Sequence, residues 1–328
     1  MKGENFLKAI EKALKSREGM LIAFQTENTD CYRLFNGIDE GVSGFIVERY
    51  KDVLVFQWHE GKCQLETSQM LEIAQFYAAN LGIKSVYLKR FVSDRSSHSA
   101  DLSYYLNRPL WGEESSSKII CHEKGIKYEI HPCDGFSTGI FLDQRNNREF
   151  LGTQFSNKQV LNCFAYTCAF SVACALNGNQ VTSVDLSKKY LDWGRNNFNL
   201  NGLSTEAHFF YAVDVFEQFN KAKKLGKTYD LIILDPPSFS RNNRGKAFSV
   251  KKDMQKLISE SCDILNPQGT LFISSNLASW NSSLLKQLTK EVIADKKIKV
   301  DEWDLPKIPQ DLMGVEAPLS AYCFKKLS

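Results

Sequence analysis

The chain has 328 residues, 43% of them hydrophobic, and its 41 basic and 38 acidic side chains leave a formal net charge of +3. This length allows a substantial core and suggests two domains, whereas the near balance of charge is a weak argument for a nucleic-acid partner. No apolar run approaches the roughly eighteen residues of a membrane span, and segment 1–17 is too polar for a signal peptide, so we expect a cytoplasmic protein.

Residues 1–135 predict a small α+β domain. Its predicted elements are a helix over Glu4–Ser16, strands near Tyr32–Phe35, Gly44–Glu48 and Val53–Trp58, a helix over Glu66–Asn80 and a strand over Ser85–Lys89. The serine-rich stretch 92–117 lacks periodicity and is expected to be a loop. A hairpin of Lys118–Ile120 and Tyr128–His131, turning at Lys124-Gly125, then leads into a second domain, residues 136–328.

Strand and helix patterns alternate from Thr138 onward, which is typical of a parallel sheet covered by helices on both faces. The predicted helices are Asp143–Gln154, Ala169–Asn177, Lys188–Asn201, Val215–Leu225, Val250–Leu265 and Ser282–Ile293.

Acidic residues end several strands of this domain. Asp185 ends a strand about twenty residues beyond the first strand and turn, where a doubly wound sheet binds a ribose. Asp214 follows the run His208–Val213 and is placed to face an adenine amino group. NAD would need the same ribose-binding acid, but no G-x-G-x-x-G or P-loop occurs and no glycine lies between Gly152 and Gly178. S-adenosylmethionine (SAM), which has a ribose and an adenine but no phosphate, fits such a turn.

The most informative motif is Asp235-Pro236-Pro237-Ser238-Phe239, directly after the apolar run Leu231–Leu234. The prolines make the turn rigid and direct carbonyl oxygens toward the site. Those carbonyls and the Asp235 carboxylate can accept hydrogen bonds from an amino group or polarise a ring nitrogen, while Phe239 stacks on an unpaired base. The alternative is a strand-ending turn in which Phe239 belongs to the core and Asp235 is only a cap.

Six segments of residues 136–328 keep an order and spacing found in a known family. They are Thr138–Arg148, Leu161–Thr167, Ser183–Ser187, Tyr190–Trp193, Asn197–Gly202 and Asp235–Ser240. The chain resembles the bacterial large-subunit ribosomal RNA methyltransferases, whose members methylate guanine N7 or cytosine C5. Segments Arg33–Gly37 and Gly44–Tyr50 are similar to the small domain that precedes the catalytic domain in these enzymes.

The resemblance implies an α/β, class I methyltransferase (Rossmann-like) fold. This is a doubly wound, mostly parallel sheet with an antiparallel C-terminal strand, preceded by a small α+β domain of the RNA-recognition type. It also implies SAM as cofactor, and the residues implied to bind it are Phe141, Asp143, Gln144, Arg145, Asn162, Phe164, Tyr166, Thr167, Asp185, Leu186, Asp214, Asp235 and Pro237.

The base would be oriented by Asp235, Pro236 and Phe239 as the catalytic group. Further contacts to RNA are expected from Arg148, Ser238, Phe239, Arg241, Arg244, Lys246 and Asn276. Arg145 and Arg148 are three residues apart on one predicted helical face. They could clamp a phosphate or the cofactor carboxylate, or simply pair with Glu149 and Asp143.

A basic segment begins two residues after Phe239. Its members are Arg241, Arg244, Lys246, Lys251, Lys252 and Lys256, with Asp253 as the one acid among them. A positive segment beside the site would attract the phosphates of RNA. The alternative is an ordinary solvated loop and helix face.

The nine cysteines predict neither disulfides nor a metal site. Cys163, Cys168 and Cys174 fall in mostly apolar segments, where reduced, buried thiols are expected. Cys121-His122 and His131-x-Cys133 are the mixed pairs that could bind zinc, but the alternating pattern there favours a hairpin, so no metal is expected. His59, His98 and His208 are better explained as surface or satisfied residues than as catalysts.

Three departures from the family pattern bear on the chemistry. Position 168, often glycine in the family, is Cys168, which implies a more crowded cofactor turn. The N-terminal RNA-binding domain of the cytosine-specific branch is expected to be absent. The cysteine that this branch carries after its fifth strand is replaced by Ser274-Ser275-Asn276.

Methylation of cytosine C5 needs a covalent adduct from an activated nucleophile. The positions where that nucleophile would stand are occupied by Ser238 and by Ser274-Ser275-Asn276, and no hydroxyl there has an obvious base to activate it. We therefore predict methylation of a nitrogen of an RNA base, with guanine N7 favoured. The alternatives are a cytosine-C5 RNA methyltransferase, a methyltransferase for protein or a small molecule, and a non-catalytic RNA-binding assembly factor with a vestigial cofactor pocket.

Overall fold

The computed structural model describes residues 4–91, 108–134, 137–241, 247–277, 279–312 and 319–327, with the backbone alone at 4, 5, 240, 241 and 247. The chain forms two compact units, Met1–Leu142 with Pro309–Glu316, and Asp143–Ile308 with Ala317–Ser328. The sequence suggested a division after residue 135. In the structure the first unit continues to Leu142 and includes a segment from near the C-terminus.

The described part of the first unit contains a five-stranded sheet and three α-helices. Its strands are β1 (Cys31–Phe35), β2 (Phe45–Tyr50), β3 (Val53–His59), β4 (Ser85–Phe91) and β5 (Trp111–Gly112), and its hairpin strands are β6 (Ile119–Glu123) and β7 (Ile126–Ile130). Its helices are α1 (Glu4–Ser16), α2 (Glu18–Thr26) and α3 (Thr67–Leu81). The sheet order is β1-β2-β3-β4-β5, with β3 and β4 parallel and the other neighbours antiparallel.

The core of this unit follows from side-chain spacing along α1. Phe6, Ile10 and Ala13 are four and three residues apart, so they lie on one helical face, and all three are buried. They pack into the same cluster as Phe45 and Phe56, whose rings meet edge to face at 5.1 Å.

The structure differs from the predicted elements of this unit in two places. Helix α2 was not predicted, but the chain turns at Arg17 and buries Phe24 of a second, short helix against the core. Strand β5 lies in the stretch that was predicted to be a loop, and its Gly112 pairs with Ser85 of β4. Gly112 has a φ of +86°, and a Cβ atom at this position would meet the Lys84 carbonyl oxygen, so the pairing requires glycine. Residues 92–107 of that loop lie outside the described residues.

The second unit contains a seven-stranded sheet. The strands of this sheet are β8 (Gln159–Cys163), β9 (Gln180–Asp185), β10 (Phe209–Ala212), β11 (Tyr229–Leu234), β14 (Leu265–Ser275), β15 (Val300–Glu302) and β16 (Ser320–Lys326). Two further strands of the unit are β12 (Phe239–Arg241) and β13 (Ala247–Ser249). The helices are α4 (Arg145–Gln154), α5 (Ala169–Ala175), α6 (Lys188–Leu200), α7 (Val215–Lys224), α8 (Val250–Cys262) and α9 (Ser282–Asp295).

The sheet order is β10-β9-β8-β11-β14-β16-β15, while β12 and β13 form a separate hairpin. Strands β8 to β11 and β14 run parallel, and β16 is antiparallel to both of its neighbours. The doubly wound, mostly parallel sheet with an antiparallel C-terminal strand is therefore confirmed. The run Leu231–Leu234 is fully buried, as a central parallel strand covered on both faces must be.

The six predicted helices of this unit are found, with shifted ends. Helix α8 stops at Cys262 instead of Leu265, because the Ile264 carbonyl accepts a hydrogen bond from the Tyr229 amide at 2.9 Å and draws the chain into the sheet. Helix α4 is preceded by a 3₁₀ turn, Leu142–Gln144. None of the helices in the described part of the chain has the length and apolarity needed to cross a membrane.

Candidate active site

The strand order of the second unit reverses between β8 and β11, which are hydrogen-bonded neighbours. In an open α/β sheet, ligands bind outside the carboxyl ends of the strands at such a point. Asp185 ends β9, Asp214 follows β10 and Asp235 follows β11, so all three predicted acids lie along this edge of the sheet.

The turn after β8 has an unusual backbone. Phe164, Tyr166 and Cys168 have φ values of 57°, 48° and 62°, a left-handed region that residues other than glycine seldom adopt. The Ala165 amide donates to the Val184 carbonyl at 2.9 Å, which ties the turn to β9. Three such residues in five positions store strain, and strained backbone concentrates at functional sites.

Asp185 fixes this turn from the neighbouring strand. Its two carboxylate oxygens accept hydrogen bonds from the amides of Tyr166, at 2.9 Å, and Ser187, at 2.8 Å. Burial raises the pKa of the carboxyl, and these backbone hydrogen bonds oppose the rise. Since a carboxylate has about four lone-pair positions, Asp185 can hold the turn and still accept ligand hydroxyls.

The side chain of Cys168 is accommodated by a glycine. A Cβ atom at Gly194 in α6 would lie 2.4 Å from the Cys168 Sγ atom and 2.9 Å from its Cβ atom. The thiol is fully buried, and burial raises its pKa to about 12. The crowding expected at this position is therefore relieved on the side of α6.

Other predicted cofactor residues lie in or under the same turn. The Asn162 amide donates to the Ser171 hydroxyl, which lies 2.8 Å from that of Ser183, so Asn162 supports the turn from below. Thr167 is buried, whereas Tyr166 is partly exposed and its ring meets that of Tyr190 at 4.5 Å. Two more predicted residues, Phe164 and Leu186, are partly exposed.

Asp214 is the N-cap residue of α7. Its carboxylate accepts a hydrogen bond from the Phe216 amide at 2.9 Å and caps the N-terminus of α7. This cap accounts for an acid at the position, whether or not the side chain also contacts an adenine.

Asp235 belongs to a buried hydrogen-bond network. Its Oδ1 atom accepts hydrogen bonds from the Ser274 hydroxyl, at 2.6 Å, and the Gln144 amide, at 3.0 Å. The same Gln144 amide nitrogen donates to the Ser274 hydroxyl at 3.0 Å, and the Gln144 Oε1 atom accepts from Asn147 at 2.8 Å. Sequence reasoning missed Asn147, and it considered Ser274 only as the position of a nucleophile and not as a donor to Asp235.

This environment changes the acidity of Asp235. Burial raises its pKa from 3.8 to about 6, and the nearby Asp143 charge adds to the rise. Hydrogen bonds from Ser274 and Gln144, together with the Arg148 charge, oppose it. The carboxylate is therefore poised to change protonation state close to neutral pH.

The last three residues of the motif are exposed. Pro236 is buried, Pro237 and Ser238 are exposed, and the Phe239 side chain is 56% exposed. The Ser238 hydroxyl donates to the Asn276 side chain at 3.3 Å, so two predicted substrate residues come together. This exposure of the Phe239 ring argues against the alternative in which Phe239 belongs to the core.

The predicted arginines are buried. Arg145 and Arg148 are each 2% exposed, and the Arg148 guanidinium lies 6.0 Å from the Phe170 ring centroid. Phe141 is 45% exposed and belongs to the first unit. The side chain of Arg241 and the whole of Arg244 and Lys246 lie outside the described residues, whereas Lys251 and Lys252 are exposed on α8.

A cleft of about 240 Å³ adjoins this network. Asp143, Asn146 and Asn147 line one side of it, and segment 305–308 with Leu319 lines the other. The Asn146 amide donates to the Lys307 carbonyl at 2.9 Å, which joins the two sides.

No group of three or more histidine, cysteine or acidic side chains is arranged to hold a metal within the described ranges. His131 is buried between Glu129, at 2.7 Å, and Asp134, at 3.0 Å. His208 accepts a hydrogen bond from the Val181 amide at 3.1 Å, and burial lowers its pKa.

Comparison with known proteins identifies the family. Residues 46–310 of the chain match the sequence pattern of the family of S-adenosylmethionine-dependent methyltransferases. The chain belongs to this family. The predicted enzyme class and cofactor are thereby confirmed.

Similar proteins cover most of the chain. The putative ribosomal RNA large subunit methyltransferase YwbD of Bacillus subtilis (strain 168) is 33% identical over 307 residues, 92% of this chain and 75% of the relative. A ribosomal RNA large subunit methyltransferase of Deinococcus radiodurans is 33% identical over 78% of this chain and 62% of its own length. A solved structure, SMU.776, a putative methyltransferase complexed with SAH, is 31% identical and has a TM-score of 0.84 over 99% of this chain and 82% of that one.

The residues of the site suit the cofactor of this family. The turn after β8 contains no glycine, and Asp185 retains acceptor capacity for hydroxyls. SAM carries hydroxyls and an amine but no phosphate, which matches this set of groups.

Proposed function

We propose that this methyltransferase acts on a nitrogen of a base in structured RNA, the RNA of the large ribosomal subunit, with guanine N7 as the favoured atom. The observation that carries the proposal is Asp235 beside the exposed Phe239. The Asp235 side chain is mostly buried at the carboxyl edge of the sheet, and the Phe239 ring on the same turn is 56% exposed, so a base could stack on it.

The acid suits alkylation of a ring nitrogen. When supplied at this site, SAM provides a methyl group activated by its sulfonium. Guanine acquires a positive charge on N7 methylation, because no proton leaves that nitrogen. An ionised Asp235 would stabilise this developing charge, and Phe239 and the Pro236 carbonyl would hold the base in place. Asp185 and the turn around Tyr166 would hold the cofactor.

Cytosine C5 is a poorer candidate because it needs a nucleophile that adds to the ring. Cys163, Cys168, Cys174, Cys262 and Cys323, the cysteines of the second unit, are all buried. Burial raises the pKa of both Cys163 and Cys168, which disfavours a reactive thiolate.

The expectation that Ser274 lacks a nearby base was wrong, since its hydroxyl donates to Asp235. The side chain is nevertheless fully buried, so it cannot reach a carbon of the substrate. The contact makes Ser274 a donor to the carboxylate, which is consistent with nitrogen methylation.

An exocyclic amino group is the second candidate, and the acceptor chemistry of Asp235 favours it. A carboxylate oxygen can accept one amino hydrogen and orient the nitrogen lone pair. The two nitrogen candidates give different products, so they separate in one measurement.

Nucleoside mass spectrometry of large-subunit ribosomal RNA methylated in vitro tests the proposal. We expect 7-methylguanosine, and its loss with Phe239→Ala while SAH binding persists. An N2-methylguanosine product would move the assignment to the amino group. The appearance of 5-methylcytidine, or a covalent complex with 5-fluorocytidine RNA, would overturn nitrogen methylation. Failure to bind RNA would favour a protein or small-molecule substrate, and failure to bind SAM would favour a non-catalytic assembly factor.

A further inference from the structure

We propose that Gln144 is a positioning residue for Asp235, and that Asn147 sets the orientation of Gln144. This inference rests on the proposed function for the identity of the reaction, but its geometric content concerns the enzyme alone. It departs from the expectation that Gln144 binds the cofactor.

The hydrogens of the Gln144 side chain are already committed. Its Nε2 atom carries two, and it donates to Asp235 at 3.0 Å and to Ser274 at 3.0 Å. The side chain is 2% exposed, so neither hydrogen is available to a ligand. The Gln144 side chain therefore acts as a hydrogen-bond donor to Asp235 and to Ser274, the other donor to that carboxylate.

Asn147 determines which end of the Gln144 amide faces Asp235. Its side-chain nitrogen donates to the Gln144 Oε1 atom at 2.8 Å, so the amide group of Gln144 must point its nitrogen the other way. With the amide reversed, an oxygen would face the Asp235 carboxylate and repel it. Asn147 lies one helical turn along from Gln144 and is 6% exposed, so the arrangement is well shielded from water.

Both donors act on one oxygen of Asp235. The hydrogen bonds from Gln144 and Ser274 end on Oδ1, and in the described residues the structure directs none at Oδ2. The carboxylate is thus held by one oxygen, while the other remains an acceptor for the base. The rotation of the Asp235 side chain is fixed by the same two contacts.

The donors also favour the ionised acid. Removing a hydrogen bond to a carboxylate disfavours its charged form. The charged groups that face Asp235 are Asp143, which raises its pKa, and Arg148, which lowers it, and both lie in the segment that carries Gln144. A neutral substitution of Gln144 leaves those two charges in place.

The first test is the pH profile of methylation of large-subunit ribosomal RNA. Gln144→Met and Asn147→Leu remove hydrogen-bonding groups without adding charge. We expect the acidic limb of the kcat profile to move to higher pH by about one unit in Gln144→Met and less in Asn147→Leu, with SAH affinity retained. Ser274→Ala should move it in the same direction. Ser275→Ala, a buried serine that accepts instead from the Leu277 amide, is the matched control and should not move it.

The second test needs no substrate. The side-chain carboxyl carbon (Cγ) of 13C-labelled Asp235, assigned by its loss in Asp235→Asn, should titrate near pH 6 in the native enzyme and at higher pH in Gln144→Met. A uniform fall in kcat at every pH, with an unchanged Asp235 titration, would overturn the positioning role. Absence of RNA methylation by the native enzyme would instead count against the proposed function, and the carbon titration would still decide the role of Gln144.

Discussion

Asp235 is held in the folded protein at the cost of a raised pKa of about 6, compared with 3.8 for the free side chain. Between these values the folded state binds more protons than the unfolded state, so the free energy of unfolding falls as the pH rises from about 4 to about 6. Above pH 6 the full penalty of the ionised acid is present. The position therefore trades stability for a charge at the site.

Replacement of Asp235 should raise the free energy of unfolding and lower the rate of methyl transfer. Asp235→Asn keeps an oxygen for Gln144 and Ser274 but carries no charge, so we expect an unfolding free energy higher by about 1–2 kcal/mol at pH 8 and unchanged at pH 4. We expect kcat to fall roughly 100-fold. Denaturant unfolding at both pH values checks the first statement, and a variant destabilised at pH 8 would contradict it.

The Cys168 side chain lies in space that glycine at position 194 leaves open. Alanine in place of a glycine within a helix normally stabilises by about 1 kcal/mol. In the native chain, however, the new methyl group would lie 2.4 Å from the Cys168 Sγ atom. We expect Gly194→Ala to destabilise the protein by about 1–3 kcal/mol, the usual range for overpacking.

The sign should reverse when the thiol is removed. In a Cys168→Gly background, whose glycine also suits the φ of 62°, Gly194→Ala should be neutral or stabilising by up to about 1 kcal/mol. Melting temperatures of the four proteins measure the effect. An equal loss in both backgrounds would show that the two side chains do not interact.

At the scale of elements, the turn after β8 depends on the strand beside it. Asp185 accepts from Tyr166 and Ser187 and thereby organises the segment that we propose to hold SAM. Asp185→Ala should weaken SAH binding by about 1–3 kcal/mol, the cost of unsatisfied buried groups. Because burial raises the pKa of Asp185, affinity should also decline as the pH falls through that pKa.

Isothermal titration with SAH checks the loss of affinity. Asp192→Ala in α6 is a suitable control, because this acid is exposed and pairs with Arg195 on the same helix. A Kd for Asp185→Ala equal to that of the native enzyme would remove Asp185 from the cofactor site.

For the whole molecule, the sequence predicted the layout of the sheet better than its registers. Alternating strand and helix patterns and acids at strand ends were enough to locate the edge at which Asp185 and Asp235 lie. The contact of Ser274 with Asp235 depends on the register of β14 against β11, in which Leu234 pairs with Ile273. Hydrophobic pattern alone does not specify such a register where the paired segments, 231–234 and 271–273, are continuously apolar.

The path of the chain between the two units was also beyond sequence reasoning. Residues 309–316 are remote in sequence from β1, yet they belong to the first unit. Asp311 is 1% exposed, its carboxylate accepts a hydrogen bond from the Arg33 amide at 2.9 Å, and its carbonyl accepts from Asn36 at 2.8 Å. No local pattern around Asp311 indicates a partner so distant in the chain.

This attachment predicts a localised loss of stability. Asp311→Ala leaves the Arg33 amide without its acceptor, which should cost about 1–3 kcal/mol in the first unit. Hydrogen exchange should become faster at Arg33 and along β1 and stay unchanged along β8 and β9. Asp301→Ala in β15, where the acid is exposed, should change neither. Unchanged exchange at Arg33 would mean that the segment around Asp311 adds nothing to the stability of β1, whereas equal acceleration in both units would mean that the two unfold together.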